Sequence, residues 1–170
     1  MAERVLVAVA VVVIAATEVG YMLLIRAQGG PPSDTPWVVP FVAGYLVLMA
    51  ALLAASTLVP ATARVALRGG ASAGLLVLGV LAAFSIGLAV LIAAALAIAA
   101  TVLGLRAKPG GRALSAAGAG AVASIVILLG GFQVVWSHVV CQPTGQSGGS
   151  TAGLFGGSAY DCNNGVLTVH

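Results

Sequence analysis

The chain has 170 residues, of which 61% are hydrophobic and only 6% charged. A soluble domain carries about 25% charged residues, so this composition, with a mean hydropathy of +1.15, excludes an ordinary water-soluble domain. The net charge of +3 does not point to nucleic acid either, because the basic residues stand singly between apolar runs, with no stripe of interleaved aromatics. The expected class is therefore an all-α integral membrane protein, a bundle of transmembrane helices. The prevalence of Arg over Lys beside so much Ala, Gly and Val fits a GC-rich bacterial genome.

The first apolar run, Val5–Ile25, has 21 residues. As a helix it is about 31 Å long at roughly 1.5 Å per residue, matching a hydrocarbon core of about 30 Å. It is long for a signal peptide, and no small-x-small site precedes a polar segment, so a retained helix is expected. RAQGGPPSDTP (26–36) contains Gly-Gly and Pro-Pro and reads as a loop. Trp37–Val59 is the second span, with Trp37 at interface depth and Pro40 in the first helical turn. Pro60 closes it, and Arg64 and Arg68 read as the next loop.

Residues 69–105 form a run of 37 positions without a charge. One helix of that length would extend about 55 Å, and an average tilt of about 20° absorbs only part of the excess. A hairpin broken near FSIG (84–87) solves this, with Ser85 capping the second arm and Gly87 relaxing the turn. The spans are then 69–85 and 87–105. RAKPGGR (106–112) is the next loop, and residues 113–136 make the last span.

The basic residues arbitrate between the two topologies. Five spans with the amino terminus inside place Arg4, Arg64, Arg68, Arg106, Lys108 and Arg112 on the cytoplasmic side and only Arg26 outside. Four spans, with residues 69–105 as one long helix, put three basic residues inside and four outside. Only the first arrangement obeys the positive-inside rule. It also places both cysteines outside.

Small residues recur in the spans, notably GASAG (70–74) and SAAGAGAVAS (115–124). In lipid, apolar area gives helices no reason to associate, so close backbone approach through small residues is the expected packing device.

Residues 137–170 change character and form an extracytoplasmic tail. GQSGGSTAGLFGGS is low-complexity Gly/Ser and reads as flexible. Cys141 and Cys162 flank it, and outside a bacterial plasma membrane a disulfide between them is expected. Such a bridge closes a loop of about 20 residues, contributing roughly 3 kcal/mol in the chain-entropy model. NNG (163–165) is a turn signal, and VLTV reads as a short strand pairing with Val139–Val140. His138 and His170 complete a possible zinc set with the cysteines, but the spacings H-x2-C and C-x7-H fit no compact zinc module, so no metal is assigned. Thiol redox catalysis needs a closely spaced pair such as C-x-x-C, which is lacking here.

One acidic residue lies deep in a span. Glu18 sits in AATEVGYML (15–23), and a charge at that depth costs about 2.5–3.5 kcal/mol, so such a group is usually inward-facing and paired. Every basic residue reads as lying outside the apolar runs, which leaves Tyr45 as the partner at matching depth, eight residues below Trp37 as Glu18 is below Arg26. Gln133 matches less well. Packing, contact with a partner subunit and a proton or cation relay are the three roles open to Glu18.

No Ser/His/Asp set, paired carboxylates, phosphate-cradling glycine loop or histidine within a span is found in the sequence. The expected function is that of a non-catalytic accessory or structural subunit of a larger bacterial membrane complex, without a cofactor. Its partners would be the bilayer and other membrane subunits. The alternative is a small transporter or channel component using Glu18 for proton or cation coupling.

Overall fold

Five helices follow in chain order: α1 (Ala2–Ala27), α2 (Val38–Ala55), α3 (Ala61–Leu81), α4 (Gly87–Ala107) and α5 (Gly111–Ser137). All five are long and apolar enough to cross a membrane. The structure is a computed structural model and describes residues 2–29, 35–83, 85–107, 110–153 and 156–170.

The charge-free run does break, between Leu81 and Gly87. The amide of Gly87 donates to the Ala82 carbonyl at 2.8 Å. A Cβ at Gly87 would lie 2.6 Å from that same oxygen, so glycine is needed here for close approach. Ser85 does not cap α4; its hydroxyl donates back to the Ala82 carbonyl at 3.2 Å. Phe84, the first residue of FSIG, lies outside the described residues, as do Lys108 and most of the Gly-Gly-Pro-Pro segment.

The third helix starts earlier than the sequence suggests. Pro60, extended at ψ 160°, stands at its N-cap, and the helix runs from Ala61. Proline fits this position because its missing N–H would have no intrahelical partner. Arg64 and Arg68 are therefore inside α3 and not in a loop before it. This corrects the expectation that Arg64 and Arg68 mark a loop outside the spans.

The helices alternate in direction. Starts of α1, α3 and α5 and ends of α2 and α4 share one end of the bundle, the amino-terminal end; the tail leaves from the other. α3 lies between α2, α4 and α5, while α1 packs outside against α4 and α2. Leu46, Met49, Leu53, Leu75 and Leu128 fill the core and are fully buried.

The two small-residue stretches meet each other. A Cβ built on Gly69 would lie 2.6 Å from the Ala117 carbonyl, and one on Gly70 would lie 2.9 Å from Ser124 Oγ. A Cβ on Gly120 would collide with the Ala66 carbonyl. α3 and α5 thus approach backbone to backbone, as small-residue seams allow. Toward the tail end, Phe41 of α2 stacks edge-on against Phe132 of α5, ring centroids 5.1 Å apart, and Phe132 lies 5.2 Å from Trp136.

The tail is a sheet, so the chain is mostly helical but not all-α. β1 (Gln146–Gly153), β2 (Gly156–Asn163) and β3 (Val166–Val169) form an antiparallel sheet in that order. The Gly/Ser segment read as flexible supplies β1. VLTV is a strand, but it pairs with Tyr160–Asn163 and not with Val139–Val140. The turn between them has Asn164 at φ 46° and Gly165 at φ 84°, the left-handed pair that a two-residue type I′ hairpin demands. A disulfide joins Cys141 to Cys162, tying the segment after α5 to β2.

Candidate functional site

Polar side chains inside the bundle are the natural place to look for function, because each must be satisfied where water is scarce. Three groups of them stitch helices together.

The first lies toward the amino-terminal end. Arg68 is only 2% exposed, and its guanidinium contacts the Glu3 carboxylate and donates from Nε to Ser56 Oγ at 3.0 Å. Ser56 in turn donates to the Leu53 carbonyl at 2.6 Å. One side chain of α3 thereby joins the first turn of α1 to the last turn of α2. Helix dipoles favour this placement: Glu3 sits at the positive start of α1, and Arg68 reaches the negative end of α2. Gly104, in the last turns of α4, leaves room for the pair; a Cβ there would lie 3.4 Å from Glu3 Oε1 and 3.7 Å from Arg68 Nη1.

The second and third groups lie deeper. Ser72 of α3 and Thr101 of α4 share a hydrogen bond of 3.2 Å, and Thr101 also donates to the Ala97 carbonyl at 2.8 Å. The Tyr45 hydroxyl donates to the Ser124 carbonyl at 2.9 Å, joining α2 to α5. Tyr45 and Glu18 are thus not the hydrogen-bonded pair that their matching depths implied.

Glu18 stands apart. It lies at the edge of the α1 face defined by Val7, Ala10, Ile14 and Thr17, with Tyr21 within electrostatic reach one turn on. Its Oε2 is shut off from the surface and has no hydrogen-bond partner among the described residues. Arg64 Nε shares that condition, although its Nη2 donates to the Val59 carbonyl at 3.3 Å.

Two cavities open at opposite ends of the bundle. The amino-terminal one, about 370 Å³, is lined by Glu3, Ala61, Thr62, Arg64, Val65, Gly104 and Ala113. The other, about 240 Å³, lies among Tyr21, Val42, Leu78, Ile86, Phe132 and Trp136.

The tail histidines are engaged separately. His138 bonds the Val134 carbonyl through Nδ1 at 2.7 Å, and His170 Nε2 lies 3.5 Å from Asp161 Oδ2. With both cysteines in the disulfide, the four tail residues do not form one ligand set.

The sequence reading missed Glu3, Ser56, Ser72, Thr101 and Ser124. A signal existed for the first: Arg64 and Arg68 are four apart, the spacing of one helical face, and Glu3 is the acidic residue nearest that end. Comparison with known protein families, curated proteins and solved structures finds no match.

Proposed function

We propose that the five helices cross a bacterial plasma membrane, amino terminus inside and tail outside, and that the protein is a non-catalytic accessory or structural subunit of a larger membrane complex. The observation that carries this reading is the closed middle of the bundle. Between the two end cavities, Leu46, Met49, Ala71, Leu75 and Leu128 are fully buried, and the polar pairs near them bond helix to helix. Such an interior supports a shape-holding role over a conducting one. Exposed apolar rows on α1 (Val5, Val9, Val12, Val19) and α5 (Val122, Val126, Val134) are left for lipid and for partner helices.

One observation favours the transport reading: Glu18, inside an apolar helix, has a carboxyl oxygen with no hydrogen-bond partner among the described residues. Intramembrane ionisable groups commonly mark ion or proton paths. A relay normally uses several such groups in series, whereas Glu18 is the one acidic residue in the middle of an apolar run.

Purification in mild detergent separates the two. Unrelated proteins co-purifying at fixed stoichiometry support the subunit reading. A homo-oligomer whose melting temperature depends on a particular ion replaces it with transport. Orientation is tested with single cysteines at Ala107 and Ser85, in a background lacking Cys141 and Cys162. An impermeant thiol reagent added outside is expected to label Ser85→Cys and spare Ala107→Cys; the reverse pattern inverts the proposed topology.

A further inference from the structure

The chain has two asparagines, Asn163 and Asn164, side by side where β2 turns into β3. An asparagine can be attacked at its side-chain Cγ by the backbone nitrogen of the next residue, which closes a succinimide ring. The reaction needs that nitrogen to be free and unshielded. The turn treats the two asparagines differently in both respects.

Asn163 is protected. It pairs with Gln146 of β1 and Val166 of β3. The nitrogen that would attack it is the Asn164 amide, which donates to the Gly145 carbonyl at 2.9 Å. Asn164 is not protected. Its attacking nitrogen belongs to Gly165, which has no side chain to shield it and makes no hydrogen bond among the described residues. Asn164 Oδ1 accepts from the Gly145 N–H at 3.2 Å. A donor placed there stabilises the negative charge that gathers on the oxygen when Cγ is attacked. Asn164 and Gly165 are both exposed, so water reaches the ring once it has formed.

We propose that Asn164 is a self-modification site that deamidates through the Gly165 nitrogen, with water as the only co-reactant. That nitrogen bonds to Asn164 Cγ and gives its proton to water. The Cγ–Nδ2 bond breaks, and Nδ2 leaves as ammonia after taking a proton from water. A second water opens the ring at either carbonyl. Opening at Cγ restores the ordinary chain with aspartate at 164. Opening at the backbone carbonyl leaves an isoaspartyl link, in which the chain runs through the former side chain and the backbone carbonyl becomes a free carboxylate. Nothing is oxidised or reduced; one water is taken up overall and one ammonia released. The two products act differently on the tail. Aspartate keeps an oxygen for the Gly145 N–H. The isoaspartyl link adds a methylene to a two-residue turn whose left-handed backbone sets the pairing of Asn163 with Val166, and it moves the acceptor away from Gly145. It therefore loosens the β2–β3 hairpin and its attachment to the segment after α5. The inference does not depend on the function proposed for the bundle.

The test ages the full chain in detergent buffer, with a free Asn-Gly peptide in the same tube as a clock. Peptide mass spectrometry, with fragmentation that separates aspartyl from isoaspartyl links, then reads both asparagines. Asn164 is expected to exchange its amide for a carboxyl and to give both products, while Asn163 keeps its amide. Gly165→Ala shields the nitrogen and is expected to slow conversion of Asn164 roughly tenfold, a barrier higher by about 1.4 kcal/mol. Asn164→Asp supplies the ordinary product from the start, and its amide exchange in β2 and β3 is expected to match that of the fresh chain. The isoaspartyl fraction of the aged chain is expected to exchange faster in the same strands. The unmodified chain is read directly, so the test stays decisive if a variant misfolds. The proposal is overturned if Asn164 keeps its amide while the free peptide converts fully, or if Asn163 converts as fast as Asn164. A Gly165→Ala chain that converts as fast as the unmodified one, or an isoaspartyl fraction that exchanges like the fresh chain, overturns it as well.

Discussion

α3 and α1 are both long enough to cross a bilayer, yet they occupy opposite surroundings. Within the chain, 56% of the apolar window of α3 is buried, against 17% for α1. The more buried helix is the less apolar one: α3 carries Arg64, Arg68, Ser72 and the glycines, whereas α1 presents Val5, Val9, Val12, Val19 and Leu23 outward. In water the order would be reversed, because removal of apolar area from solvent decides what goes inside. Where the surroundings are hydrocarbon, apolar area is indifferent to burial, and close approach and polar bonding decide instead. In such surroundings a helix with small and polar side chains, such as α3, takes the centre.

The most direct way to break this arrangement is to remove the polar reason for burying α3. Arg68→Leu strands the Glu3 carboxylate and frees Ser56. The pair is part-buried, Arg68 2% and Glu3 28% exposed, so breaking it from one side costs less than the about 3–5 kcal/mol of a fully enclosed pair, and a clear drop in melting temperature and in yield of folded protein is expected. The double variant Glu3→Gln with Arg68→Leu should recover part of that loss, since no unpaired charge remains. If Arg68→Leu alone melts like the unmodified chain, the pair does not organise the bundle.

A second comparison sets the bundle against the tail, which has no long apolar element and depends on backbone pairing and one covalent link. Cys162→Ser removes the disulfide to Cys141 and should destabilise the tail by roughly 3 kcal/mol. Amide exchange in β1–β3 is expected to accelerate, while exchange in α2 and α3 stays unchanged. Equal acceleration in both regions would mean that they unfold as one unit.

The seam between α3 and α5 gives a sharper contrast with a single methyl group. Gly120 and Gly118 lie two residues apart in one helix. A Cβ at Gly120 collides with the Ala66 carbonyl, while one at Gly118 meets nothing within 4 Å. Gly120→Ala should cost about 1–3 kcal/mol by forcing two backbones apart. Gly118→Ala should be neutral or gain up to about 1 kcal/mol from reduced chain entropy. Opposite signs in the two melting temperatures locate the seam; equal signs remove it.

Much of this architecture was legible because lipid-sized helices leave strong traces. A run from Gly69 to Leu105 without charge cannot be one span, and Gly87 marked where it turns. Asn163-Asn164-Gly165 announced a hairpin. What stayed hidden had physical reasons. Glu3 and Arg68 are 65 residues apart, and Arg68 looked like a loop residue because the start of α3 is set by Pro60 and not by the charges. Tyr45 finds a backbone carbonyl, and every residue has one of those, so residue type could not reveal Ser124. β1 could not be read either: QSGGSTAG lacks the alternation that marks strands and has Thr151 alone as a branched residue, and it is a strand because β2 offers it a partner edge in register from Gln146 to Gly153.

Glu18 returns the comparison to α1, where the expected effect is smallest and the sign matters most. On this sparsely buried helix, one oxygen of Glu18 has no hydrogen-bond partner among the described residues. Removing an unpaired buried polar atom relieves a desolvation penalty, so in the isolated chain Glu18→Leu should melt at the same temperature or higher. In an assembled complex the expectation reverses if a neighbouring subunit bonds that carboxyl. Intramembrane hydrogen bonds average about 0.6 kcal/mol, so Glu18→Leu should lower assembly yield modestly, while Glu18→Gln keeps bonding capacity and assembles normally. A proton-carrying role gives another pattern, because an amide keeps the shape but cannot release a proton. Melting temperature of the isolated chain, yield of the complex and whatever activity the complex supports are measured together on both variants. A Glu18→Gln protein that is stable, fully assembled and inactive would sink the structural role of Glu18 and make it the coupling group of a transporter.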